Sequence, residues 1–109
     1  MDHIKNETVS EVAKITPEEQ KRELFRMLAS LDGAASFERL FDDLCTYNEI
    51  EQMAQRLVAA ELLIGGATYN QVMAKTGISS ATLSRVSRCL QRGSGGYSEI
   101  VRATLNDKK

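Results

Sequence analysis

The stretch from Thr68 to Arg92, T-Y-N-Q-V-M-A-K-T-G-I-S-S-A-T-L-S-R-V-S-R-C-L-Q-R, decides how this chain is read. Thr68 with Gln71 three residues on is a capping-box start, which predicts a short helix to about Lys75. Gly77 supplies the positive φ with which such a helix ends. Ser79 then offers a second N-cap, and the helix after it places Leu83, Val86 and Leu90 on one apolar stripe. At roughly 100° per residue the opposite face carries Ala81, Ser84 and Arg88. Two short helices around a glycine turn form a helix-turn-helix over about 68–92, and the small, polar, basic face of the second fits a DNA major groove. A plain helical hairpin inside an all-α core has the same local pattern.

Charge separates the two readings. Residues 1–68 hold 13 acidic and 7 basic side chains, whereas residues 69–109 hold 2 acidic and 7 basic ones. No Asp or Glu lies between Leu62 and Ser98, a window that contains Lys75, Arg85, Arg88 and Arg92. The net charge of −1 therefore hides a polarised molecule whose basic half can neutralise phosphates.

A chain of 109 residues suits one domain with a modest core, and pairing with a second copy would enlarge that core. The N-terminus, M-D-H-I-K-N-E-T, lacks the apolar segment of a signal peptide, and no apolar run approaches a membrane span, so a soluble cytoplasmic protein is expected. Cys45 and Cys89 sit in apolar helical contexts without metal-ligand spacing and are expected to be reduced and packed. His3, the single histidine, falls in a polar arm over residues 1–15 and reads as a solvated side chain, so a catalytic base is lacking. Neither a catalytic centre, a metal site nor a cofactor is expected.

One domain is expected over residues 16–109. Thr16-Pro17-Glu18-Glu19 is a capping box with Pro at the first helical position, followed by the apolar residues Leu24, Phe25, Met27, Leu28 and Leu31. Asp32-Gly33 ends that helix, and Ser36 is the expected cap of a second, with Phe37, Leu40, Phe41 and Leu44. Thr46 and Glu49 form a further capping box, opening a third helix whose apolar positions, from Ile50 to Ile64, are nearly continuous, so more than one side is expected to be buried. Gly93-Ser94-Gly95-Gly96 breaks the chain after the helix-turn-helix, and a last helix is expected from about Tyr97 to Leu105. The methionines Met27, Met53 and Met73 fall at core spacing, Met73 where many helix-turn-helix proteins have a smaller residue.

The order of these elements, with Ala81-Thr82-Leu83-Ser84-Arg85 inside G-I-S-S-A-T-L-S-R-V-S-R-C-L-Q-R-G-S-G-G-Y, resembles the Trp repressor superfamily, and in particular its YerC/YecD-type branch. The resemblance runs from about Pro17 to Leu105 and implies an all-α, six-helix, intertwined homodimer with two helix-turn-helix heads directed at successive major grooves. In Trp repressors a threonine and an arginine of the third-helix region and an arginine of the recognition helix grip tryptophan. Thr46, Arg56 and Arg85 fit those places, and two guanidinium groups can clamp a carboxylate or flank an indole. The same three residues also have ordinary helical roles, Thr46 as a cap and the arginines as solvated charges. The residue after the recognition-helix arginine is glycine in the Trp repressor and Val86 here, which fills space the ring would need. A small-molecule effector is thus an option, with tryptophan disfavoured.

The expectation from sequence is a sequence-specific transcriptional regulator, a bacterial repressor, that binds double-stranded DNA as a homodimer and is not an enzyme. Its DNA contacts are expected from Lys75, Ser79, Ser80, Ala81, Thr82, Ser84, Arg85, Arg88 and Arg92. The alternative is a helical protein-interaction module without DNA affinity.

Overall fold

The computed structural model of the chain describes residues 13–107. Among these residues six α-helices follow in order: α1 Pro17–Ala29, α2 Ala34–Leu44, α3 Tyr47–Ile64, α4 Tyr69–Thr76, α5 Ser80–Arg92 and α6 Arg102–Asp107, the last entered through a π-helical segment, Gly96–Val101. Most of the polar arm expected over residues 1–15, His3 included, lies outside the described residues.

Local chemistry starts three of these helices in the same way. The Thr16 hydroxyl accepts from the Glu19 N–H at 3.1 Å while the Glu19 carboxylate accepts from the Thr16 N–H at 2.9 Å. Thr46 and Glu49 repeat the exchange at 3.0 and 2.8 Å, and Thr68 and Gln71 at 3.1 and 2.8 Å. Each box satisfies two N–H groups that the first helical turn leaves unpaired, and a cap of this kind contributes about 0.5–2 kcal/mol.

Two boundaries differ from expectation. Ser36 lies inside α2 rather than capping it, because Gly33, at φ +88°, turns the chain so that the helix begins at Ala34 and the Gly33 carbonyl takes the Phe37 N–H. The last helix begins in a wider geometry. The Gly95 carbonyl accepts from Glu99 N–H at 2.8 Å and from Ile100 N–H at 3.3 Å, and the second bond spans five residues, the mark of a π-turn.

The chain divides into two compact units, one ending at Phe41 and the other beginning at Asp42. In the second unit α3 packs against α4 and α5, α4 against α5, and the π-helical segment against both α3 and α5. Its core is Ala59, Ala60, Val72, Ile78, Leu83 and Val86, with Leu62, Leu63, Ala67, Met73 and Tyr97 packed around them. Full burial of a Val or Leu side chain is worth about 1.5–3 kcal/mol, so Leu83, Val72 and Val86 dominate the cohesion of this unit. Ala59 and Ala60, without side chains beyond Cβ, let α3 approach its neighbours closely.

Within one chain α3 buries one side only: Leu57 and Val58 are each 43% exposed, since the α4–α5 pair and the last helix cover a single flank. Cys89, expected to be packed, is exposed on the margin of the Leu83–Val86 stripe, and Cys45 is half-buried. Among the described residues of the first unit no side chain is buried. Phe25 is 59% and Phe37 41% exposed, and Met27, expected as a core gap-filler, is exposed beside them in sequence. An ion pair joins Arg26 to Glu23 at 2.7 Å on the outer surface of α1.

Candidate nucleic-acid interface

The turn between α4 and α5 is held by backbone and side-chain bonds together. Gly77, at φ +78°, takes up the left-handed conformation that ends α4, and its N–H donates to the Met73 carbonyl at 2.9 Å. The Thr76 hydroxyl donates to the Val72 carbonyl at 2.8 Å and accepts from the Ile78 N–H at 3.1 Å. Ile78 is buried, so the apolar residue of the turn anchors it to the core. Ser79 caps α5 by accepting from the Thr82 N–H at 3.2 Å, and its hydroxyl donates to Thr82 Oγ1 at 3.0 Å.

The faces of α5 are sharply divided. Leu83 and Val86 are buried, whereas Ser80, Ala81, Ser84, Arg85, Arg88 and Arg92 are exposed, as is Lys75 near the end of α4. Thr82 is half-buried, and its hydroxyl, like that of Ser79, is engaged in the cap. Among the described residues no carboxylate pairs with Lys75, Arg85, Arg88 or Arg92, and the ion pair present is Arg26 with Glu23. The result is a small-residue surface flanked by unpaired cations, which suits close approach to a polyanion.

The residues considered for a ligand have separate surroundings. Thr46 is the cap of α3, its hydroxyl and N–H both bonded to Glu49. Arg56 is half-buried on α3 and Arg85 is exposed on α5. Val86, next to Arg85, is 1% exposed and forms part of the core. A cavity of about 450 Å³ is lined by Cys89, Gly93, Ser94, Gly96, Tyr97, Ile100 and Val101. Another, of about 370 Å³, lies between α3 and α4, lined by Glu51, Ala54, Gln55, Val58, Lys75 and Thr76. Neither includes Thr46, Arg56 or Arg85.

One residue near the interface escaped sequence reasoning. Gln55, in the middle of α3, donates from Nε2 to the Thr76 carbonyl at 3.0 Å. A glutamine inside a helix has high helical propensity and needs no special explanation, so nothing in the pattern singled it out.

Comparison with known proteins places these features in a lineage. The family described as Trp repressor protein matches residues 19–105 of the chain. The uncharacterized protein YerC of Bacillus subtilis (strain 168) is 48% identical over 75 residues, which span 69% of this chain and 72% of that protein. A crystal structure of a candidate Trp repressor from Staphylococcus aureus superposes with a TM-score of 0.75 at 38% identity, covering 79% of this chain and 86% of the other. A TrpR-like protein from Eubacterium eligens ATCC 27750 gives a TM-score of 0.74 at 36% identity, covering 82% and 90%.

Proposed function

The chain belongs to the Trp repressor family, and from that premise we propose that it is a DNA-binding transcriptional regulator, a repressor, acting in the cytoplasm as a homodimer. The observation that carries this reading is the exposed face of α5, free of acidic residues. Ser80, Ala81 and Ser84 leave room for base edges, Arg88 reaches a base, and Lys75, Arg85 and Arg92 neutralise phosphates. Ser79 and Thr82 contribute through the cap, which orients the first turn of α5 toward the duplex.

The dimer reading is supported by exposed apolar side chains in both units: Leu24, Phe25 and Phe37 in the first, Leu57 and Val58 in the second. A second copy burying them in an intertwined pair would place two α5 helices about one helical turn of DNA apart, so the operator is an inverted repeat. Tryptophan is not the corepressor in this proposal. Val86 already occupies the interior beside Arg85, and overpacking such a space costs about 1–3 kcal/mol, roughly ten- to a hundredfold in affinity.

The test begins with selection of bound duplexes from a random pool. The selected duplex should bind with a steep salt dependence and with the same affinity whether or not tryptophan is present. Arg88→Ala is expected to weaken binding to it by about 1–3 kcal/mol and to blur the sequence preference. Equal losses on selected and scrambled duplexes would assign Arg88 to the backbone. No measurable duplex binding at low salt would favour a protein-interaction module instead, and a requirement for tryptophan would overturn the role given to Val86.

A further inference from the structure

Among the described residues, the bond from Gln55 to Thr76 is the one side-chain hydrogen bond that joins positions more than five apart in the chain. It runs from the middle of α3 to the last residue of α4. Carbonyls in the final turn of a helix lack intrahelical partners, and here the Gln55 amide supplies one. The same amide nitrogen lies 3.8 Å from the position a Cβ would take on Gly77, so it sits directly over the turn.

Thr76 is held on three sides. Its hydroxyl donates to Val72 and accepts from the N–H of Ile78, and its carbonyl accepts from Gln55. Gly77, Ile78 and Ser79 alone separate it from the first residue of α5. The direction in which α5 leaves the turn is therefore set by apolar packing, with Ile78, Leu83 and Val86 in one core with Ala59 and Ala60 of α3, and by one directional bond from α3, the Gln55 amide. Apolar burial resists separation but is tolerant of sliding and rotation. A hydrogen bond has a preferred length and angle, and so it fixes the orientation that burial leaves loose.

We propose that Gln55 is a positioning residue for DNA recognition: through the Thr76 carbonyl it sets the angle at which α5 meets the duplex, without touching DNA itself. This rests on the DNA-binding reading above. The flanking Glu51 and Lys75 side chains line the same groove but have no hydrogen bond in it, which leaves Gln55 as the directional link between α3 and the α4–α5 turn.

The inference is tested with Gln55→Met, which keeps the length and removes the donor, and Gln55→Asn, which keeps the amide one methylene too short to reach. Both are measured on the selected and the scrambled duplex over a range of salt, alongside circular dichroism for folding. Losing one such hydrogen bond should lower affinity for the selected duplex about three- to tenfold, with scrambled-duplex affinity and salt slope unchanged. A variant that retains the natural ratio between the two duplexes, or that loses equally on both, overturns the proposal. Failure of both variants to fold overturns it too, since Gln55 would then be a stabilising residue and not a positioning one. If the natural protein itself does not distinguish duplexes, the DNA-binding reading has failed, and amide exchange still judges the link. The Gly77 and Ile78 amides should exchange faster in both variants, and unchanged exchange refutes the link.

Discussion

The unit from Asp42 onward holds every buried side chain among the described residues, and the unit ending at Phe41 holds none. Yet α1 is also amphipathic in sequence, though less sharply than α5, with Leu24, Phe25, Met27 and Leu28 grouped on it. The difference is one of partners. The α5 stripe meets Val72 and Ile78 from the neighbouring helix and turn and Ala59 and Ala60 from α3, all within the same chain. The phenyl rings of Phe25 and Phe37 remain open to solvent. Amphipathicity specifies that a face must be covered, and it is silent on which molecule covers it.

The largest effect that tests this contrast is expected at Leu83. Truncation by Leu83→Ala leaves a cavity where α5 meets the core and should cost about 2–5 kcal/mol in denaturant unfolding. A loss no larger than that of an average surface change would show that the α3–α5 core is not what holds the second unit together. Next comes Phe25→Asp. If a second copy covers that ring, the charge should weaken self-association by at least the burial of one phenylalanine, about 1.5–3 kcal/mol, seen as a shift toward monomer in sedimentation. A stable folded monomer of the natural protein at low micromolar concentration would break the comparison altogether, because the first unit would then need no cover.

Much of this architecture was legible in the sequence because it is encoded by short-range chemistry. Thr16, Thr46 and Thr68 each begin a helix in the predicted way, Gly77 turns with positive φ, and Ser79 caps the helix that follows. The same logic misled at Ser36. A serine before an apolar run is a good cap in isolation, but here Gly33 redirects the chain first and the helix is under way before the serine is reached. Bonds formed across the fold left no trace. The reach of Gln55 to Thr76 depends on how α3 lies against α4, and that is not written in either helix alone. The exposed position of Cys89 likewise follows from which flank of α5 its neighbours happen to cover.

The smallest expected effect lies in the outer surface of α1. The hydrogen bond from Arg26 holds the Glu23 carboxyl below its usual range, against the opposing effect of burial and with the Arg26 charge adding to the bond, and Glu23 raises Arg26 in turn. A carboxyl depressed in the folded state stabilises above its unfolded pKa, and that contribution disappears as pH falls through the folded value. Both side chains are largely exposed and screened, so the pair should be visible in a titration of the Glu23 side chain by NMR, with little change in the unfolding midpoint. Arg26→Gln should return the carboxyl to its ordinary range. An unaltered titration would mean that the two charges do not interact in solution, and that the first unit lacks even this local tie.

The π-turn at Gly96–Val101 holds one residue more than an α-helical turn would. A residue added to a helix that stayed α would rotate everything beyond it by about 100°. The wider turn takes up the extra residue within a single revolution instead, so the side chains that follow keep their azimuth. Leu105, half-buried beyond the turn, is thereby held on its own side of the helix. The segment works as a phase absorber: deleting one position between Gly96 and Val101 should restore α geometry and leave the C-terminal apolar side chains facing the same way.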